Sequence, residues 1–383
     1  MATQTVTPSA APRTDFVAVA RELAADFATR AAQHDADDTF VAENYAALKK
    51  AKLFSAPVPT ELGGGGASYE DHCEIIRAIA RGCGSTALAY SMHSHLLQAL
   101  VWRHRHNATP PAEPLLRRIA AEELVLVSSG GSDWVDGSGK LEKKNGGYVF
   151  NARKIFGSGG PSGDLLLTTG IYDDPEKGPT VLHFGVNLHQ PGVTIQDNWR
   201  TLGMRGTGSN DIVIENVDVA DAGVSVRRPK GTWAPFFDVV TPLIWPLVCA
   251  AYLGVAESAR ELAVAHVQKK RDDPIVQITV GEMDTELANA QAAYDDMVAT
   301  AKGLDYTPSH GLSNISYKRK TIFSRSATRA VSCAMEAVGG GSFFRAAGIE
   351  RAFRDIQGIR FHPWHERRSY LFSGRIALGL DPV

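Results

Sequence analysis

Few side chains in this sequence have the type and spacing to do chemistry. His93 and His95 stand two residues apart in an apolar, Ala-rich stretch, and His362-Pro-Trp-His365 lies near the end of the chain. An imidazole gives or takes a proton near neutral pH, so each is a candidate acid, base or hydrogen-bonding group. Residues two apart on a helix do not share a face, so at most one of His93 and His95 points into a common site. No third ligand accompanies His362 and His365, and a metal centre is not indicated. Glu366 is the carboxylate beside them, in the charged run His365-Glu-Arg-Arg368. Ser158 sits in Gly157-Ser-Gly-Gly160, two residues after Phe156. A small hydroxyl between glycines can approach a ligand closely, and an aromatic face can stack on a planar ring. The four cysteines, Cys73, Cys83, Cys249 and Cys333, are scattered and read as reduced thiols of a cytoplasmic protein.

The elements that must carry these groups change texture twice. Asp15 to Ala121 is Ala-rich with helical periodicity: Phe16, Val19, Ala20, Leu23 and Phe27 line one face. Ser68, with Asp71 three residues on, predicts a helix start, and Ser85 predicts the cap of the next helix, Thr86 to about Arg105. From about Leu124 short Val/Ile/Leu/Thr runs predict strands at 124–128, 148–156, 165–172, 180–187 and 211–219. From Trp233 onward helices return, predicted at 239–270, 280–303 and 313–338. The resulting expectation is α+β: a disordered start at 1–13, a helical domain at 14–122, a β domain at 123–232 and a helical bundle domain at 233–383. Strands and helices do not alternate and no GxGxxG or GxxxxGKS occurs, which disfavours a nicotinamide Rossmann enzyme and a P-loop enzyme. A net charge of −2 offers no field for nucleic acid, and no run of about 18 apolar residues predicts a membrane span.

Four segments, in order along nearly the whole chain, carry a family resemblance. They are Lys154-Ile-Phe-Gly-Ser-Gly-Gly160, Asn198-Trp-Arg-Thr-Leu-Gly-Met-Arg-Gly-Thr-Gly-Ser209 with the strand after it, Gly339-Gly-Gly-Ser-Phe343, and Glu350-Arg-Ala-Phe-Arg-Asp355. Together they resemble the acyl-CoA dehydrogenase superfamily. The resemblance implies an N-terminal helical domain, a central β-barrel-like domain and a C-terminal four-helix bundle, usually as a homotetramer, around FAD or FMN. It assigns Phe156 behind the isoalloxazine ring, Ser158 beside flavin N5, and Leu126, Val127, Ser128 and Ser129 at the pyrimidine edge. Gly339, Gly340 and Gly341 would follow the cofactor's ADP part. Arg271, in Lys269-Lys-Arg-Asp-Asp-Pro274, would serve a phosphate, although the family's Arg-x-x-Phe-Gly is not intact there.

One departure bears on the reaction. The carboxylate that removes the α-proton of an acyl-CoA falls, by register, at Pro363 or at about Ile244, and neither is an acid. Glu366 is the one nearby candidate for a displaced base. A scaffold without its base resembles the dibenzothiophene monooxygenase-like branch, which takes reduced flavin, often from a separate reductase, and oxidises aromatic, amine or sulfur compounds through a C4a-(hydro)peroxide. That branch implies Ser158, His362 and one of His93 or His95 around the flavin. The alternatives are an acyl-CoA dehydrogenase with an unusual base and a flavin-free interaction partner.

Overall fold

In the computed structural model, which describes residues 14–109, 111–133 and 135–383, the Asp15 carboxylate accepts the Ala18 N–H and opens helix α1 (Phe16–Asp37). The expectation for residues 1–13 lies outside the described residues. On α1 the buried face is Phe16, Ala20, Ala24, Phe27 and Ala31; Val19 and Leu23 lie at its margin. Helix α2 (Ala42–Lys50) follows, then α3 (Tyr69–Gly82), where Ser68 and Asp71 form the reciprocal capping box that their spacing predicts. Helix α4 (Gly84–Arg105) begins earlier than expected, so Ser85 lies inside it. Ser85 does not cap it; its hydroxyl instead accepts the N–H of Gly206, 121 residues away. Helix α5 (Glu113–Glu122) ends this helical part.

Among the described residues eight strands come next: β1 (Leu126–Ser128), β2 (Lys140–Lys144), β3 (Gly147–Gly157), β4 (Leu165–Asp174), β5 (Gly178–Asn187), β6 (Val193–Ile195), β7 (Asn210–Ala220) and β8 (Val226–Pro229). They form one mixed sheet in the order β6-β7-β3-β2-β4-β5-β8, with β1 parallel to β4 beside β2. The sheet curls around its own core of Val127, Phe150, Leu166, Phe184, Ile212 and Ile214. Strand β2, Lys-Leu-Glu-Lys-Lys, buries only Leu141, which is why its residues carry no strand signal.

The remaining helices are α6 (Pro235–Val267), α7 (Pro274–Ala301), α8 (His310–Val338), α9 (Ile349–Ile356) and α10 (Glu366–Ala377). Helices α6, α7, α8 and α10 make the C-terminal bundle, while α3 and α4 pack on α6 from the other side. A single apolar core therefore runs from Phe16 to Phe372 through both helical parts. Helix α6 is its axis. By length and composition it would span a bilayer, yet 89% of its apolar window is buried inside the fold. Pro242 and Pro246 lie within it, and each removes one backbone donor at a place where side-chain packing is complete.

Candidate functional site

The end of β3 is irregular, and that irregularity makes the site. The β3–β7 register shifts between Lys154 and Gly157, and Phe156 takes φ +59°. The left-handed conformation costs a residue with a Cβ about 1 kcal/mol or more. Phe156 nevertheless holds it with its side chain 51% exposed, touching Trp199 edge-on at 5.8 Å. Gly130 lies against it: its N–H donates to Ile155 O at 2.9 Å, and a Cβ there would stand 2.9 Å from the Phe156 ring. A Cβ on Gly131 would meet Pro363 at 2.7 Å, so the loop after β1 is wedged between Phe156 and the His362 loop.

A buried ion pair pins that loop. Lys154 Nζ, 1% exposed, shares its three protons among four acceptors: Asp133 Oδ2 at 2.8 Å, Ser138 O at 2.8 Å, Ser138 Oγ at 2.9 Å and Thr169 O at 2.7 Å. Thr168 Oγ1 adds a bond to Ser129 Oγ at 3.0 Å. Val127 is fully buried in the sheet core, Ser128 is buried at the end of β1, and Ser129 after it is half-buried. Two residues beyond Phe156, Ser158 is buried and its hydroxyl meets Ser209 Oγ at 2.7 Å.

The two helix histidines separate cleanly. His93 accepts the Leu126 N–H on Nδ1 (3.0 Å), so its proton is on Nε2, which donates to Phe54 O (2.9 Å). Both nitrogens are spent tying α4 to β1 and to the loop after α2, which removes His93 as a candidate for chemistry. His95 donates from Nδ1 to Ser91 O at 3.3 Å, which leaves Nε2 as a lone-pair acceptor. Burial pushes its pKa down to about 4, so it is neutral at pH 7. His362, on the loop before α10, lies close enough to His95 to feel its charge when that ring is protonated. Burial, the Lys320 ammonium and His95 together push His362 down to about 3. Its Nε2 bonds the Tyr252 hydroxyl of α6 at 2.8 Å. Its backbone is clamped by Lys320 of α8, whose Nζ donates to His362 O (3.1 Å) and Trp364 O (2.8 Å) over the Trp245 ring. Burial lowers the Lys320 pKa to about 8.

Glu366 does not join them. It takes a two-pronged pair with Arg325 at the surface (2.6 and 3.1 Å), and that pairing holds its pKa below the ordinary carboxylate value. A base for carbon acids needs the opposite shift and a place beside the substrate. Ile244 is a partly buried residue of the α6 core; the buried carboxylates Asp35, Asp133, Asp238 and Asp355 have partners, and Glu123 accepts from Ser55 on Oε1 while its buried Oε2 has none. Arg271 and Gly339–Gly341 lie at another part of the chain. Arg271 is exposed in the α6–α7 turn, and the glycines follow α8, near where Val267, Val276 and Ala337 of the three helices meet. A Cβ on Gly339 or Gly340 would meet nothing.

Sequence reasoning missed Tyr252, Lys320, Thr207 and Ser209. The signal for the last two was present, since both lie in the 198–209 segment. A buried lysine in a long helix and a tyrosine in an apolar one carry no local mark. The Glu350–Asp355 segment serves the fold. Arg354 bridges Asp35 and Glu350, and Asp355 accepts the Met204 N–H, so α9 holds the 202–209 loop in place.

The residues present suit a flavin ring. They offer a half-exposed aromatic face, a glycine cradle that a Cβ would fill, and a buried hydroxyl. Comparison with known proteins agrees. The acyl-CoA dehydrogenase N-terminal domain model matches residues 13–108 and the C-terminal domain model matches 247–367. Dibenzothiophene monooxygenase of Mycolicibacterium goodii is 26% identical over 93% of this chain and 91% of its own length. Cyclohex-1-ene-1-carbonyl-CoA dehydrogenase of Geobacter metallireducens is 26% identical over 92% and 94%. Among solved structures, KijD3 in complex with FMN and dTDP-3-amino-2,3,6-trideoxy-4-keto-3-methyl-D-glucose superposes with a TM-score of 0.85 at 28% identity, covering 97% of this chain and 96% of that one. Domain models at both ends, full-length relatives and a shared fold place the chain in the acyl-CoA dehydrogenase superfamily, a superfamily of flavin-dependent oxidoreductases.

Proposed function

We propose that the chain is a flavin-dependent monooxygenase that takes reduced FMN or FAD, supplied by a separate reductase, and oxidises a small aromatic, amine or sulfur compound with O2. The observation that carries this reading is the state of the candidate groups: His95 and His362 are neutral and Ser158 keeps a buried hydroxyl, while the displaced-base candidate Glu366 is bound to Arg325 at the surface. When bound, the reduced flavin supplies the electrons that activate O2.

The chain's own residues do the rest. Phe156 would cover one ring face and exclude water from it, and the Leu126–Ser129 backbone would meet the ring edge. His95 Nε2 accepts a proton from a substrate N–H or O–H, which its neutral state allows at pH 7. His362, held by Tyr252 and Lys320, orients the substrate or oxygen by hydrogen bonding and carries no charge. The amino-sugar nucleotide bound to KijD3 makes amines a substrate class to test first.

The deciding experiment supplies chemically reduced FMN, O2 and a panel of amines, phenols and thioethers. Oxygen uptake with a product one oxygen atom heavier supports the reading. Bleaching of bound flavin by an acyl-CoA under anaerobic conditions would sink it in favour of the dehydrogenase. A homotetramer and a cytoplasmic location complete the proposal. The assembly is supported by exposed Phe343 (85%), Leu378 (78%) and Ile275 (74%), and light scattering of the purified protein reads it directly. Arg271 would then reach the cofactor phosphate of a second copy, and Gly339–Gly341 would follow the cofactor's ADP part.

A further inference from the structure

Ser158 is the first of three hydroxyls in a row. Its Oγ lies 2.7 Å from Ser209 Oγ, which lies 2.7 Å from Thr207 Oγ1, which lies 2.9 Å from the carbonyl oxygen of Met204. Each hydroxyl owns one proton, and a carbonyl oxygen only accepts. The Thr207 proton therefore goes to Met204 O. Thr207 must accept from Ser209, and Ser209 must accept from Ser158. The direction of the whole chain is set by its last member, and Ser158 is left with lone pairs alone to offer a ligand. The row is shielded from water, since Thr207 is 0%, Ser209 4% and Ser158 8% exposed. It is also held at both ends: Asp355 accepts the Met204 N–H, and Gly159 N donates to Thr207 O at 2.9 Å.

We infer that Thr207 and Ser209 are positioning residues that make Ser158 a hydrogen-bond acceptor, and that this polarity makes the site select reduced over oxidised flavin. The inference rests on the proposed placement of Ser158 beside flavin N5. Reduced flavin carries a hydrogen on N5 and satisfies an acceptor. Oxidised flavin presents a lone pair there, and two acceptors facing each other in a buried site leave a hydrogen bond unmade. An unmade buried bond lowers affinity on the order of tenfold. This polarity suits an enzyme that captures reduced flavin from solution and releases it oxidised.

The test measures dissociation constants of the full-length apoprotein for oxidised FMN and for dithionite-reduced FMN without oxygen. The wild type is expected to bind reduced FMN about tenfold more tightly or better. Thr207→Val removes the proton stop, and Ser209→Ala removes the middle acceptor. In either variant the Ser158 proton is free to turn outward, so the ratio of the two constants should fall by about tenfold. Ser209→Thr, which keeps the hydroxyl, should leave the ratio near that of the wild type. A wild-type ratio near one, or an unchanged ratio in whichever of the two variants is folded, overturns the inference. Failure of the wild type to bind either form of FMN or FAD overturns the flavin reading itself.

Discussion

His93 and His95 are alike in type, burial and neighbourhood, and the difference between them is where their nitrogens go. His93 spends both on backbone groups, one of them the Leu126 N–H that starts β1. His93→Ala should therefore cost stability, about 3 kcal/mol from two lost hydrogen bonds and a cavity, read as a lower urea midpoint. His95→Ala should cost less, about 1–2 kcal/mol for its cavity, and lower turnover about a hundredfold, the usual size of an acid–base contribution. The reverse pattern would mean that the tautomers are assigned wrongly. Phe156 makes a related contrast. Its φ of +59° is one that Asn tolerates better than an aromatic. Phe156→Asn should hold or raise the stability of the apoprotein by up to about 1 kcal/mol while weakening FMN binding by about tenfold. Calorimetry of the apoprotein together with flavin titration checks both halves.

Among the elements, the loop between β1 and β2 is the one whose position the site depends on, and Lys154 reaches through the sheet to hold it. Removing one partner of a buried pair strands the other as an uncompensated charge, at a cost of about 3–5 kcal/mol. Lys154→Met should lose that much and should also weaken FMN binding, because Gly130 and Gly131 lose their seat against Phe156 and Pro363. Lys154→Met combined with Asp133→Leu should recover most of the stability and little of the binding. Full recovery of FMN affinity in the double variant would show that the pair does not position the loop. The short helix α9 acts similarly at a distance, through Arg354 and Asp355, on the loop that carries Thr207 and Ser209.

At the scale of the whole molecule, five histidines, His72, His93 and His95 buried and His183 and His362 largely so, couple the fold to pH. Burial first, with Arg228 beside His183 and Lys320 beside His362, pushes His72, His183 and His362 down to about 3, and His93 and His95 to about 4. In the unfolded chain they titrate near 6.5. Between those values the unfolded state binds more protons, so their stabilisation is present above pH 6.5 and is lost as pH falls toward 4. Asp355 and Glu123 work the other way: burial raises both, Asp355 to about 6, so their contributions fall as pH rises above the ordinary carboxylate value of about 4. Five groups outweigh two. Thermal unfolding followed by circular dichroism should show Tm dropping steadily below pH 6.5, with acid unfolding above pH 4. A flat Tm from pH 7 to 4.5 would mean that water reaches these rings.

Much of this molecule was legible as local pattern. The α1 face, the Ser68 capping box and the long C-terminal helices follow from periodicity and capping chemistry, which need no knowledge of distant residues. The order of helices, strands and helices, and the segments holding Phe156 and Ser158, were set by the residues themselves. Strand β2 was not legible, because a pairing that buries one leucine among lysines leaves no alternation to read. Nor was the choice between His93 and His95, since it turns on whether the Leu126 N–H lies opposite a ring nitrogen. Ser85 shows the same limit: its type suggests a helix cap, but Gly206, 121 residues on, claims its hydroxyl. The polarity of Ser158 depends on Thr207, Ser209 and Met204 reaching it from another loop, and Glu366 is withdrawn from chemistry by Arg325 from another helix. The sequence by itself determined which groups were available for chemistry. Which of them are spent holding the fold, and which keep a lone pair or proton for a ligand, was decided only when the tertiary structure brought their partners to them.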